Sequence, residues 1–84
     1  MKEITRDEIK ALFRDNFRSL RIEAGLSQSD LARRIGAMPS YICDLERGCK
    51  HPTLGTIAVL ADALGVTPAT LVSTVRANQP TVQS

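Results

Sequence analysis

Cys43, Cys49 and His51 are the residues of this 84-residue chain whose types most readily do chemistry, and they fall in one short stretch. Together they offer three soft metal ligands, whereas structural zinc takes four protein ligands. No metal site is therefore expected. The N-terminal MKEITRDEIK lacks the apolar centre of a secretory signal. The two cysteines are accordingly expected as free thiols, and nothing beside either marks it as activated. His51 has no positioned nucleophile or carboxylate, and there is neither a paired acidic site nor a phosphate-cradling glycine loop. An enzyme is not expected, and no cofactor is implied. No apolar run approaches the roughly 20 residues that cross a bilayer, so the expectation is a soluble, cytoplasmic protein without a membrane partner.

The formal charge of +2 is too small to announce a polyanionic partner by itself. Its distribution says more. Residues 1–36 carry eight basic and six acidic side chains, while residues 53–84 carry only Arg76 and Asp62. A stretch so poor in charge suits a buried helix pair or a subunit interface, where charged residues are depleted. A chain of this length buries only about 60% of its unfolded surface and gains from a partner subunit. With only Phe13, Phe17 and Tyr41 as aromatics, the core must be mostly Leu, Ile, Val and Ala.

The elements that position these residues are legible from punctuation and period. Thr5-Arg6-Asp7-Glu8 reads as a capping box, followed by Ile9, Phe13, Phe17, Leu20 and Ala24 at helical spacing. Gly25 ends that helix. Ser27 caps a second helix with Asp30 in its first turn, Leu31 and Ile35 on its inner face and Gly36 at its end. Pro39 opens a third, running to about Arg47 and stopped by Gly48. Thr53 caps a fourth, with Leu54, Ile57, Leu60, Ala61 and Leu64 as its apolar stripe and Gly65 at its close. Thr67-Pro68 starts a fifth, carrying Leu71, Val72 and Val75 and ending near Arg76. Strand signals are absent. The organisation expected is one all-α domain over residues 1–76 and a flexible tail over 77–84.

The abrupt corner between the second and third helices is the informative feature. Leu31, Ala32, Ile35, Ala37, Ile42 and Leu45 are its inner positions, with Ala32 small enough to let another helix cross closely. Gly36 supplies a left-handed backbone angle that would cost another residue about 1–2 kcal/mol. That pattern sets two short helices at a steep angle, the helix-turn-helix arrangement. With Ile42 and Leu45 buried, the opposite face of the third helix presents Pro39, Ser40, Cys43, Asp44 and Arg47.

These residues also carry a family resemblance. GLSQSDLARRIG, then SYICDLERG, then HPTLGTIAVLADALGV, resembles the Cro/C1-type (XRE) DNA-binding family over roughly Phe17 to Leu71. Among its branches the chain looks most like small stand-alone regulators such as restriction–modification controller proteins. The resemblance implies a compact five-helix, repressor-like fold with helices 2 and 3 as the helix-turn-helix. It implies a sequence-specific transcriptional regulator whose third helix enters the major groove of double-stranded DNA. Pro39, Ser40 and Asp44 then stand at base-reading positions, with Cys43 beside them. Gln28 is implied as a phosphate clamp, and Arg21 and Glu46 as a pair joining the first and third helices. Arg18, Tyr41, Arg47 and Lys50 are candidates for further backbone contacts, which give affinity and register. Three positions depart from the family pattern. Met38 replaces a Ser or Thr cap, Pro39 replaces a polar reader, and Asp44 turns an acid toward a polyanion. Arg33 and Arg34 read as a solvated helix face.

One reading helix covers few base pairs, so a homodimer on a palindromic operator is expected, with Val66, Leu71, Val72 and Val75 at its interface. The alternative is an antitoxin or other protein-binding module that also binds DNA to regulate itself.

Overall fold

Each helix begins where a short polar side chain or a proline resolves the orphan N–H groups of its first turn. In the computed structural model, which describes residues 3–74, Thr5 Oγ1 accepts the Glu8 backbone N–H at 3.1 Å and the Glu8 carboxylate accepts the Thr5 N–H at 2.8 Å. This box starts α1 (Arg6–Glu23). The same reciprocal box starts α2 (Gln28–Ile35), with Ser27 Oγ accepting the Asp30 N–H at 2.9 Å and Asp30 accepting the Ser27 N–H at 3.1 Å. The Ser27 backbone N–H, and after it the Ser27 side chain, holds the Asp30 carboxyl below the usual aspartate pKa. Pro39 opens α3 (Pro39–Arg47), where Met38 supplies no side-chain cap. Thr53 Oγ1 accepts the Thr56 N–H at 3.2 Å and caps α4 (Leu54–Leu64). Pro68 opens α5 (Pro68–Leu71).

At Gly36 the left-handed backbone, φ 72°, lets the Ala37 N–H reach back to the Ala32 carbonyl at 2.8 Å. That reversal turns α2 sharply into α3. Gly48 has two demands on it. Its φ is 81°, and a Cβ there would stand 3.2 Å from the Arg14 guanidinium of α1.

The five helices surround one core. α3 packs on α1 and α2, α2 also on α4, and α5 on α1 and α4. Phe17, Leu31, Ile42, Leu45, Leu60 and Leu71 are its largest fully buried side chains. Phe13 and Phe17 stack at 5.3 Å between centroids, the offset arrangement that suits aromatic quadrupoles. Ile35, Tyr41, Ile57, Leu64, Val66 and Val72 pack around this centre. Among the described residues there is no strand, and no helix is long and apolar enough to cross a membrane.

Four expectations are corrected. Ile9, placed in the apolar stripe of α1, is 38% exposed, and Ala24 is the exposed C-cap. The first two turns of α1 lie beyond the core, whose α1 members begin at Phe13. Leu54, placed in the stripe of α4, is 86% exposed, because it is the first helical residue and precedes the turns that meet the core. The fifth helix, expected to run to about Arg76, is one turn that ends at Leu71. Leu71 itself, expected at a subunit interface, is fully buried in the monomer core and offers nothing to a partner. Val75, Arg76 and the tail expected over 77–84 lie outside the described residues.

Asn16 explains where α5 stops. It shares the buried side of α1 with Phe13, Phe17 and Leu20, a polar residue within the apolar core. Its amide donates to the Leu71 carbonyl at 3.1 Å and to the Ser73 carbonyl at 2.9 Å. Those carbonyls are at the end of α5, where a longer helix would have turned them to its own N–H groups. Val72, at φ −121°, has already left the helical region.

Replacing Asn16 with Ala leaves the buried Leu71 carbonyl without its donor. The expected loss is about 1–3 kcal/mol of stability, read as a lower urea midpoint at unchanged m-value. Asn16→Leu, which fills the volume but donates nothing, should lose a similar amount.

Candidate nucleic-acid interface

The interface is built on α3, whose two sides are treated differently. Ile42 and Leu45, three residues apart, sink fully into the core. The N-terminal end turns the other way: Met38, Pro39 and Ser40 are all exposed, Met38 at 70%. Cys43 and Asp44, one turn further on, are half-buried, and Arg47 is exposed at the far end. The four residues expected to read bases therefore follow one another along one accessible side of one helix.

What aims this helix is a buried carboxylate. The Glu46 side chain is only 5% exposed. It accepts the Arg21 Nε–H at Oε2 and the Arg21 Nη2–H at Oε1, the latter at 3.2 Å. The Arg21 fork spends its remaining direction on the Leu26 carbonyl, 2.8 Å away in the α1–α2 loop. Bidentate Arg–carboxylate contact adds angular definition to charge attraction. The pair expected from the sequence is thus present, and it joins α1 to α3.

Two more groups converge on the same carboxylate. Gln28 Nε2 donates to Glu46 Oε1 at 3.1 Å, and Arg18 Nε stands 3.8 Å from it with a side chain 64% exposed. The Gln28 side chain, expected at a phosphate, here holds α2 to α3. Its backbone N–H remains in the first turn of α2 beside that of Ser29, because the capping box engages those of Ser27 and Asp30. Such N–H groups, at the positive end of a helix, suit an anionic oxygen.

The acid at position 44 is also answered locally. Lys50 Nζ lies 3.9 Å from the Asp44 carboxylate and 5.9 Å from the centroid of the Tyr41 ring. The Lys50 backbone N–H reaches the Asp44 carbonyl at 3.3 Å. Lys50 and Tyr41, expected separately at phosphates, thus form one cluster that offsets an acid on the reading side. The Arg47 pKa is raised, first by its hydrogen bond with the Cys43 side chain one turn earlier and then by neighbouring Cys49, Cys43 and Asp44. Cys43 and Cys49 carry free thiols, and no group of three metal-ligating side chains converges among the described residues.

Sequence reasoning missed the hydrogen bond from Gln28 to Glu46 and the Lys50–Asp44 contact. The first joins two helices and the second joins α3 to the loop after it, for which helical spacing holds no signal. Arg33 and Arg34, expected on a solvated helix face, are both exposed. Arg33 pairs with Asp30 at 3.3 Å, and Arg34 donates to the Ala63 carbonyl near the end of α4, also at 3.3 Å.

Comparison with known proteins agrees with this geometry. The helix-turn-helix domain family matches residues 12–73. An uncharacterised HTH-type transcriptional regulator of Sinorhizobium fredii, y4dJ, is 41% identical over 66 residues, covering 79% of this chain and 86% of that one. The restriction-modification controller protein C.AhdI of Aeromonas hydrophila superposes with a TM-score of 0.69 at 39% identity, over 80% of this chain and 98% of the other. A hypothetical transcription factor from Neisseria, NHTF, superposes with a TM-score of 0.75 at 30% identity, over 87% and 84%.

Removing one member of the buried pair strands the other. Glu46→Ala should cost about 3–5 kcal/mol, because Arg21 is left charged among buried groups. The double variant Arg21→Met, Glu46→Leu should recover much of that loss. Urea unfolding of the two single variants and the double variant measures the coupling.

Proposed function

The chain belongs to the helix-turn-helix family of DNA-binding transcriptional regulators, and from that premise we propose that it reads an inverted-repeat operator as a homodimer, with α3 of each subunit in the major groove. The observation that carries this reading is the opposite fate of the two sides of α3. Ile42 and Leu45 anchor it in the core while Met38, Pro39 and Ser40 project from its N-terminal end. The major groove of B-DNA admits one α-helix, and residues near its start reach base edges.

In this reading Ser40 offers a hydroxyl that donates or accepts, and Pro39 offers apolar contact to a thymine methyl. Asp44 accepts from cytosine N4, and Cys43 fills the space between them. The first turn of α2 at Gln28, with Arg18 and Arg47, supplies phosphate contacts. Lys50 and Tyr41 add to them at the groove edge. Glu46 and Arg21 orient the helix and do not touch DNA. The likeness to a restriction-modification controller protein supports a regulator of that kind.

The subunit interface is reassigned by the burial of Leu71. α4 leaves Leu54 at 86% and Val59 at 50% exposure, with Ala58 exposed between them. Leu54 and Ala58, four residues apart, are neighbours on the helix surface, and Val59 lies further round the same outer half, with exposed Asp62 between it and Ala58. With half-buried Val66 and Val72 at the far end, this is the apolar surface we assign to the twofold contact. Two subunits joined there would place two reading helices on half-sites about one helical turn apart.

Selection from a random duplex pool should enrich an inverted repeat. Affinity for it should fall by about 10³–10⁵ between 50 and 200 mM salt if six to ten phosphates are engaged. Arg47→Ala should weaken all sequences alike and reduce the salt slope by about one, whereas Ser40→Ala should change the preferred base. A pool that yields no repeat, or a sedimentation mass that stays monomeric at high micromolar concentration, rejects the reading.

A further inference from the structure

Lys50 lies outside α3, yet the chain returns it to that helix. Gly48, at φ 81°, reverses the backbone after Arg47. The next two backbone N–H groups, of Cys49 and Lys50, then both donate to the Asp44 carbonyl, at 2.9 and 3.3 Å. The loop is thus tied by its backbone to the same residue that its lysine side chain approaches. The Lys50 ammonium stands 3.9 Å from the Asp44 carboxylate and 5.9 Å from the centroid of the Tyr41 ring. Tyr41 and Asp44 are three residues apart and so neighbours on the surface of α3. Two side chains of α3 therefore hold a cation that belongs to the following loop.

The two partners differ in exposure. The Lys50 side chain is 59% exposed and the Asp44 side chain 30%. An ammonium carries three donors, more than one acid takes up, and a carboxylate accepts at both of its oxygens. Lys50 approaches Asp44 at Oδ2. Arg47 also lies near Asp44, but its hydrogen bond is to the Cys43 side chain. An acid brought to a polyanion is repelled at every sequence, and what it gains in return is a hydrogen bond from cytosine N4 at one base pair. Whether Asp44 discriminates or merely repels thus depends on the cation beside it.

We propose that Lys50 is a specificity-determining residue, an assignment that rests on the reading of α3 as the major-groove helix. Its ammonium bridges the Asp44 carboxylate and a DNA phosphate, so the base preference at this point belongs to the pair and not to Asp44 alone. Held at Oδ2, the cation offsets the repulsion between Asp44 and the backbone and leaves the second oxygen to accept from the base. Closing the interface strengthens the contact, because charges shielded from water and salt attract more strongly.

The test is a double-mutant cycle on the full chain, read against the duplex that the wild-type protein selects. Asp44→Asn should change the preference at one base pair of each half-site, which marks the pair that Asp44 reads. Lys50→Met should weaken binding to all sequences and also cut the cytosine preference at that base pair about fivefold, the upper end for an exposed ion pair. In the Asp44→Asn background, Lys50→Met should cost only its phosphate contact, a salt slope lower by about one with no further change in base preference. Lys50→Arg keeps the charge and should keep the preference. The Asp44 backbone carbonyl that holds the loop is untouched in every variant, so urea midpoints should stay near wild type. Substitutions that combine additively within about a factor of two, or a cytosine preference that survives Lys50→Met, overturn the assignment and leave the operator reading standing. A wild-type chain that selects no operator rejects that reading and this assignment with it.

Discussion

A carboxylate that is 5% exposed must find its charge and its hydrogen bonds inside the protein, and Glu46 finds them in three side chains from two other helices. Arg21 comes from α1, Gln28 from the first turn of α2, and Arg18 from one turn earlier in α1. Arg21 also grips the Leu26 carbonyl of the connecting loop. Apolar burial is non-directional, so Ile42 and Leu45 could be accommodated with α3 rotated or slid by a fraction of a turn. A guanidinium fork closed on a carboxylate permits no such freedom. The pair sits at the C-terminal turn of α3, and the free end is the N-terminal one. The constraint is therefore placed where it aims the helix without occupying the residues proposed to read DNA.

The rest of the surface follows the same economy of charge. An acid on the groove side opposes a polyanion, but Asp44 carries Lys50 at 3.9 Å, which lies in turn over Tyr41. The acid thus keeps its hydrogen-bonding capacity while its field is offset. Arg34 donates to the Ala63 carbonyl and Arg33 pairs with Asp30. Arg18, Arg47 and Lys50 are exposed near α3, so a formal charge of only +2 is compatible with the phosphate-binding face proposed for it. Charge placement, not charge total, sets that potential.

Much of this was legible before any coordinates. The two capping boxes, the prolines at the openings of α3 and α5, and the glycines that end four helices are local signals. Each depends on groups within one turn of it. The inner positions Leu31, Ala32, Ile42 and Leu45 obeyed helical period because each helix there has one core-facing side. Asn16 was not legible, since a polar residue between Phe13 and Phe17 gives no hint that carbonyls from position 71 onward will meet it. The short α5 was lost for the same reason: Leu71 and Val72 continue an apolar pattern, and a distant amide ends the helix. The Arg21–Glu46 pair was reachable only through family likeness, because charges on separate helices have no spacing rule.

α4 failed for a different reason, and the failure is informative. From Leu54 to Leu64 its only charged residue is Asp62, so period cannot choose a side. A helix apolar all round has more apolar surface than one core contact can use. The fold spends Leu60 and Ala61 on the centre and packs Ile57 and Leu64 around it, leaving Leu54, Ala58 and Val59 outward. These residues lie on α4, whereas the residues proposed to read DNA lie on α3, so a contact between subunits there need not compete with DNA for the same side chains. What α4 withholds from its own core is the surface that the proposed twofold partner would use.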